Sequence, residues 1–306
     1  MAAYTAGQKF CRGYQTEITY GVMQASTLLW AGELIKFKPN LSPKREYHIY
    51  PSSRAFSAAT SGPLEEGFTA EFHSRAAAEW KAFYAYYGMG ASTTTADALP
   101  AGFTMLFDIY DGTTHRYKTY NGCKINKLEI EGTGVGQALI FRIEVFAQHH
   151  DETSTKVLNT VQSVTIGGDS TTPGGSTLIW TANHTINIAA GGAVAIYPEK
   201  FKFTLHNHLT RQNGIVTGSD TLLYPVAVAQ DEGIRDITYE AELIAQNTTY
   251  EAAKTLNSLV TALTIPIDDE TITLSNGYFT GDDHPEYSQE ENREPIKINF
   301  KTLAIA

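Results

Sequence analysis

Pro198-Glu-Lys-Phe-Lys-Phe-Thr-Leu-His-Asn-His-Leu209 is followed, after a polar stretch, by Gly233-Ile-Arg-Asp-Ile-Thr-Tyr-Glu-Ala-Glu-Leu243. In the first segment Phe201, Phe203 and Leu205 alternate with Lys202 and Thr204; in the second Ile237, Tyr239, Ala241 and Leu243 alternate with Thr238, Glu240 and Glu242. Successive side chains of a strand point to opposite faces. A period of two therefore lays one face against a core and the other against water or a neighbour. The same period recurs outward from these segments, in Glu33-Leu-Ile-Lys-Phe-Lys38, Ala138-Leu-Ile-Phe-Arg-Ile-Glu-Val-Phe146 and Pro295-Ile-Lys-Ile-Asn-Phe-Lys-Thr-Leu303. Asp111-Gly112, Asn121-Gly122, Asn213-Gly214 and Asn276-Gly277 supply turn chemistry between such runs. The chain is predicted to be mainly β.

Two stretches carry a helical period instead. From Ser74, a predicted N-cap, to Tyr87, the residues Trp80, Phe83, Tyr84 and Tyr87 fall at i, i+3, i+4 and i+7, with Gly88 as the expected stop. Residues 249–263 form the second predicted helix. Thr248 and Glu251 have capping-box spacing, and Leu256, Leu259, Val260 and Leu263 make its stripe. Core packing accounts for both stripes.

The order of elements repeats along the chain. An alternating strand, a long polar stretch, a second strand, a helix and closing strands occur in each half. The equivalent positions drift from 35 and 203 to 80 and 254 and then to 141 and 298. This is the trace of a duplication with loop changes. We expect a first domain over residues 1–150, a linker over 151–176 rich in Gly, Ser and Thr, and a second domain over 177–306. The polar stretches from Asn40 to Leu64 and from Thr210 to Asp231 exceed ordinary hairpin turns and are expected to be arms or long hairpins.

Composition narrows the function. The chain has 306 residues, 42% apolar and 18% charged, enough for a sizeable core. Its net charge of −10 divides into −1 for residues 1–155 (14 Lys+Arg, 15 Asp+Glu) and −9 for the remainder (9 and 18). Neither half is a basic nucleic-acid footprint, although an acidic conduit would let DNA slide without sticking. No run of 18 apolar residues suggests a membrane span, and no export signal is visible in Met1-Ala-Ala-Tyr-Thr-Ala-Gly-Gln-Lys9. Cys11 and Cys123 are accordingly expected as reduced thiols.

The segment pair quoted first resembles the tail tube proteins of long-tailed phages and related archaeal viruses. So does a second pair, Glu270-Thr-Ile-Thr-Leu-Ser-Asn-Gly-Tyr-Phe279 with Glu294-Pro-Ile-Lys-Ile-Asn-Phe-Lys-Thr-Leu303. In the first half, Asn121-Gly-Cys-Lys-Ile-Asn-Lys-Leu-Glu-Ile130 and Ala138–Phe146 are similar to the family's final strands. Gly67-Phe-Thr-Ala-Glu-Phe72 lacks the Arg of the second copy, and the first thirty residues match nothing in the pattern. The resemblance implies two tandem β-sandwich or open-barrel domains, each with a flanking α-helix. It also implies a structural virion protein without enzymatic activity or cofactors. In such a protein six domains close a ring and rings stack into a tube, so two domains per chain imply a pseudo-sixfold ring of three chains. The implied partners are other copies of the chain, the tape measure protein, the tail terminator, and tail-tip or baseplate proteins. DNA would pass through the lumen without specific binding. The implied location is the virion tail, with assembly in the host cytoplasm.

Catalytic and metal signals are weak. His206-Asn-His208 lacks the spacing of a nuclease motif, and Gly132-Thr-Gly-Val-Gly136 lies between two strands rather than ahead of a helix. Asp282-Asp-His-Pro-Glu286 and His149-His-Asp-Glu152 hold metal-ligand types in predicted turns, where acidic clusters are usually solvated. Arg235 stands at a strand start beside Asp231, Glu232 and Asp236. It is expected to pair with a carboxylate, either within the chain or across a subunit boundary. The alternative to a tube protein is a carbohydrate-binding, baseplate or distal tail β-sandwich, suggested by 17 Tyr, 14 Phe and 3 Trp.

Overall fold

The computed structural model describes residues 8–23, 28–48, 58–74, 80–90, 102–134, 136–154, 184–189, 192–214, 226–231, 233–243, 259–267, 270–283 and 296–305. In chain order the first strands are β1 (Gln8–Thr16), β2 (Glu33–His48) and β3 (Ala58–His73). A helix (Trp80–Met89) leads to β4 (Phe103–Tyr110), β5 (His115–Gly132), β6 (Ile140–Ala147) and β7 (His149–Thr153). The second half holds β8 (His184–Ile188), β9 (Gly192–Ile196), β10 (Pro198–His206), β11 (Thr210–Gly214), β12 (Val226–Asp231) and β13 (Asp236–Leu243). It ends with β14 (Val260–Ile267), β15 (Glu270–Asp283) and β16 (Ile296–Ile305). The protein is mainly β, as expected, and every pairing among the described strands is antiparallel.

The strands of the first half lie side by side as β2-β3-β6-β5-β4-β1, and those of the second as β10-β13-β16-β15-β14-β8, with β9 beyond. The two runs meet where β5 pairs with β10. Alternation places the core as the sequence predicts: Phe141, Ile143, Val145 and Ala147 of β6 and Ile237, Tyr239, Ala241 and Leu243 of β13 are buried. β2 and β3 stay paired from Glu33↔His73 to His48↔Ala58, and β11 pairs with β12, so both polar stretches are built as hairpins. Their tips, residues 49–57 and 215–225, lie outside the described residues.

The turn signals divide. Asp111-Gly112 is a turn: Asp111 Oδ1 accepts the N–H groups of Thr113 and Thr114 at 2.9 and 2.8 Å, and Tyr110 pairs with His115. Asn121-Gly122 and Asn276-Gly277 instead lie inside the long strands β5 and β15. Gly122 (φ 62°) and Asn276 (φ 56°) are left-handed, a conformation that serves a kink within a strand as well as a hairpin turn. At Asn121-Gly122 two residues stand opposite Thr104 alone, which bulges β5 between its pairings with β4. Asn213-Gly214 ends β11.

The second predicted helix is corrected over its last turn. Val260–Ile267 is a strand, while residues 249–258 lie outside the described residues. The register with β8 skips Thr261, and this bulge lets both Val260 and Leu263 face the core. A bulge thus reproduces the i, i+3 spacing of a helical stripe. The first helix is present from Trp80 to Met89 but is π-helical rather than α-helical, and residues 75–79 lie outside the described residues. Phe83, Tyr84 and Tyr87 are buried, as their spacing predicts. Tyr84 stacks on Phe141 with centroids 4.6 Å apart, and its hydroxyl donates to the Ala31 carbonyl. The helix runs through Gly88, where a Cβ would stand 2.8 Å from Leu128 Cδ2, and stops at left-handed Gly90 (φ 107°).

β1 gives the unplaced N-terminal segment a role, since it pairs with β4 from Gln8↔Tyr110 to Thr16↔Phe103. Cys11 and Cys123 are buried and unbridged, and burial pushes the Cys11 thiol up to about 12. Residues 155–183, most of the predicted linker, lie outside the described residues.

Candidate assembly surface

The contact between β5 and β10 is a sheet seam. It pairs Lys127 with His206, Leu128 with Leu205, Ile130 with Phe203 and Gly132 with Phe201. Leu128, Ile130, Phe203 and Leu205 are buried on one face. Charges line the other. Glu129 Oε1 accepts from Lys202 Nζ at 2.8 Å and Lys127 Nζ at 2.9 Å. Burial opposes the charge of Glu129, but the two lysines outweigh it and hold the carboxyl below its ordinary range.

A polar knot closes the seam just past β10. Asn207 is buried, on the same strand parity as Phe201, Phe203 and Leu205. Its amide donates to the Gly88 carbonyl at 3.0 Å and to the Ile125 carbonyl at 2.9 Å. Its backbone N–H reaches the Asn126 carbonyl at 2.7 Å, and Asn126 Oδ1 accepts the Leu209 N–H at 2.9 Å. Buried amides cost stability unless they are paired, and these bonds tie the halves at one geometry. The sequence draws the eye to the histidines of this tripeptide, yet the residue that ties the halves is the asparagine between them. The signal was a polar side chain on the apolar parity of a strand. His206 and His208 stack at 3.8 Å, and burial together with His208 holds His206 below its ordinary pKa.

The β11–β12 hairpin extends the contact onto the first half. Arg211 lies over the Phe146 ring at 4.7 Å and donates to the Glu66 carbonyl. Gln230 Nε2 donates to the Gly122 carbonyl at 3.2 Å, and Lys124 Nζ to the Gln230 carbonyl at 3.3 Å. The bulge beneath is fixed by Glu17, whose buried carboxylate accepts from Gly21 N, Thr104 Oγ1 and Gly122 N at 2.7–2.8 Å. Arg235 lies at this junction. Its Nη1 donates to the Met89 carbonyl at 2.7 Å, on the last residue of the first half's helix. Asp236, one of its expected partners, is held by Lys301 at 2.6 Å.

Other edges of the sheet are open. Among the described residues β2 has a strand partner on one side only, β3. Lys36, Lys38, Ile35 and Leu41 along it are exposed. β14 covers β15 only as far as Gly277, and β16 pairs onward to Asp283. The other side of β15 from Tyr278 to Asp283 therefore has no strand on it among the described residues.

No group of three metal-ligating side chains forms among the described residues, and residues 284–286 of the acidic motif lie outside them. His149 pairs with Asp151 at 3.6 Å, which raises the His149 pKa and lowers that of Asp151. The largest fully buried side chains are all aromatic, among them Tyr14, Tyr84, Tyr239, Phe68, Phe107 and Phe203. Core packing thus accounts for these aromatics, while Tyr86, Tyr197 and Tyr278 are exposed. No described helix is long and apolar enough to cross a membrane.

A model of the phage tail tube protein family matches residues 13–301, nearly the whole chain. The chain belongs to the phage tail tube protein family. The comparison with curated proteins found no match. The tube family is a structural component of the phage tail, not an enzyme family, and its place is the virion tail. For a tail tube protein the informative surfaces are strand edges and the charged face beside them, where the seam and the open edges lie.

Proposed function

We propose that this tail tube protein self-assembles into rings of three chains with pseudo-sixfold symmetry, and that the rings stack into the tail tube. The tube encloses the tape measure protein during assembly and conducts DNA at ejection. It meets a terminator at one end and tail-tip or baseplate proteins at the other, and it is built in the host cytoplasm. The two units of each chain span residues 1–150 and 177–306, joined by a linker over 151–176. The β2–β3 and β11–β12 hairpins reach towards the neighbouring ring.

One observation carries this reading. Both halves run their strands in one spatial order, and they join edge to edge at β5 and β10. A chain that contains such a join needs only to repeat it to close a ring. In that ring Arg235 ties neighbouring units, here two units of the same chain.

Negative-stain electron microscopy of the purified chain over a concentration series tests the proposal. Rings or hollow tubes of uniform width, with threefold or sixfold modulation in top view, are the expected result. Compact monomers at every concentration, with and without added tail-tip proteins, would overturn it.

A further inference from the structure

The seam inside the chain specifies a register for the contact between chains. Each half holds a rung of four paired residues. In the first half Phe37 pairs with Ala70, Ala70 with Ile143, and Ile143 with Leu128. In the second, Phe203 pairs with Tyr239, Tyr239 with Phe300, and Phe300 with Phe279. The rungs make Phe37 the counterpart of Phe203, and Phe279 the counterpart of Leu128.

At the seam Leu205, two residues past Phe203, meets Leu128; Phe203 meets Ile130, and Lys202 meets Glu131. On β15 the register skips Thr280, so Gly281, Asp282 and Asp283 stand where β5 has Glu129, Ile130 and Glu131. Carrying the seam across to the open edges puts Pro39 opposite Phe279, Lys38 opposite Gly281, Phe37 opposite Asp282 and Lys36 opposite Asp283.

We infer that the β2 edge of one copy pairs antiparallel with the Phe279–Asp283 edge of β15 in a second copy, with Lys36 opposite Asp283. The inference rests on the ring reading above. The occupant is a second copy of this chain, because both edges repeat elements that already pair inside it. Charge agrees at one rung: Lys36 stands opposite Asp283, as Lys202 stands opposite Glu131 at the seam, while Asp282 falls on the parity of Phe37. Exposed Ile35 and Leu41, 46% and 53% accessible, flank the β2 edge and add apolar area to the contact. An edge strand that ends in water is a template for pairing, and this one has a partner of matching register with Lys36 set opposite Asp283. The contact is head-to-tail, so it closes only if the rotation per chain divides a full turn.

The test is a disulfide trap in the full-length chain carrying Lys36→Cys and Asp283→Cys. The native thiols Cys11 and Cys123 are buried and stay out of the reaction. After assembly and mild oxidation, the expected product is a covalent trimer that thiol reduces, with a 36–283 linkage mapped by peptide mass spectrometry. Each single variant should give no trimer, and neither should Lys36→Cys combined with Ser275→Cys. Thermal melts matching the parent chain show that the variants fold. Rings seen by microscopy without a 36–283 linkage would overturn this register and leave the ring reading intact. Absence of any oligomer from the parent chain, with and without added tail-tip proteins, would overturn both.

Discussion

β10 and β2 hold the same place in the two strand orders, but their surroundings differ. β10 is flanked on both sides, by β13 and β5, and its Phe203 and Leu205 are fully buried. β2 is flanked by β3 alone, and Ile35 and Leu41 beside its basic edge are open to solvent. A strand that is core in one half and edge in the other marks where the chain ends one contact and offers the next. On the proposed ring, monomer stability depends on the occupied seam, and assembly depends on the open one.

The sharpest way to break this comparison is a pair of truncations. Phe203→Ala removes a buried aromatic from the seam and should cost about 3–5 kcal/mol in a denaturant melt of the monomer. Ile35→Ala, at the open edge, should change the same melt by less than about 0.5 kcal/mol and weaken ring formation instead. Equal losses in the monomer would mean that β2 is covered in the isolated chain, and the comparison would fall.

Much of this contrast was legible in the sequence, though unevenly. Period-two alternation marked β6, β13 and, from Phe201 onward, β10, because their buried residues follow parity without interruption there. Bulges were not legible. Thr261 shifts parity and gave β14 the spacing of a helix, and the kink at Asn121-Gly122 looked like a hairpin turn although β5 continues through it. Gly88 looked like a helix stop because glycine commonly ends helices; here the helix runs through it, and a Cβ would crowd Leu128 Cδ2. Of the assembly surface, the long hairpins could be anticipated from the polar stretches. Which edge meets which could not, since register lives in cross-strand pairs separated by tens of residues.

The second half carries its own buried titratable group, and this gives a smaller way to separate the halves. His184 on β8 is fully buried, with Nδ1 2.6 Å from the Tyr239 hydroxyl. Burial lowers its pKa from 6.5 to about 3. A histidine depressed in this way binds its proton more readily in the unfolded chain. Its contribution is therefore complete above pH 6.5 and is lost as pH falls towards about 3. At pH 5.5 the loss relative to pH 8 should be on the order of 1 kcal/mol. His184→Gln should remove that part of the acid sensitivity. Amide exchange should place the loosening in β8, β10 and β13 and leave β3 and β6 protected. Loosening that begins in the first half would show that the halves unfold as one unit.

The smallest expected effect separates the two edges by salt. Lys202 and Lys36 occupy counterpart positions on β10 and β2, but their partners differ. Lys202 reaches Glu129 across the seam at 2.8 Å, whereas Lys36 reaches Glu71 on the adjacent strand at 3.2 Å and is itself well exposed. Both are surface pairs, so screening keeps each contribution small. Lys202→Ala should lower monomer stability by about 0.2–1 kcal/mol, a loss that shrinks as salt rises. Lys36→Ala should leave the monomer melt unchanged and raise the concentration needed for ring formation, most at low salt. Static light scattering across a salt series reads the second effect, and a urea melt reads the first. If the two substitutions gave the same pattern in both measurements, the charge at the β2 edge would have no role beyond its own sheet, and the open edge would depend on its apolar residues and backbone alone.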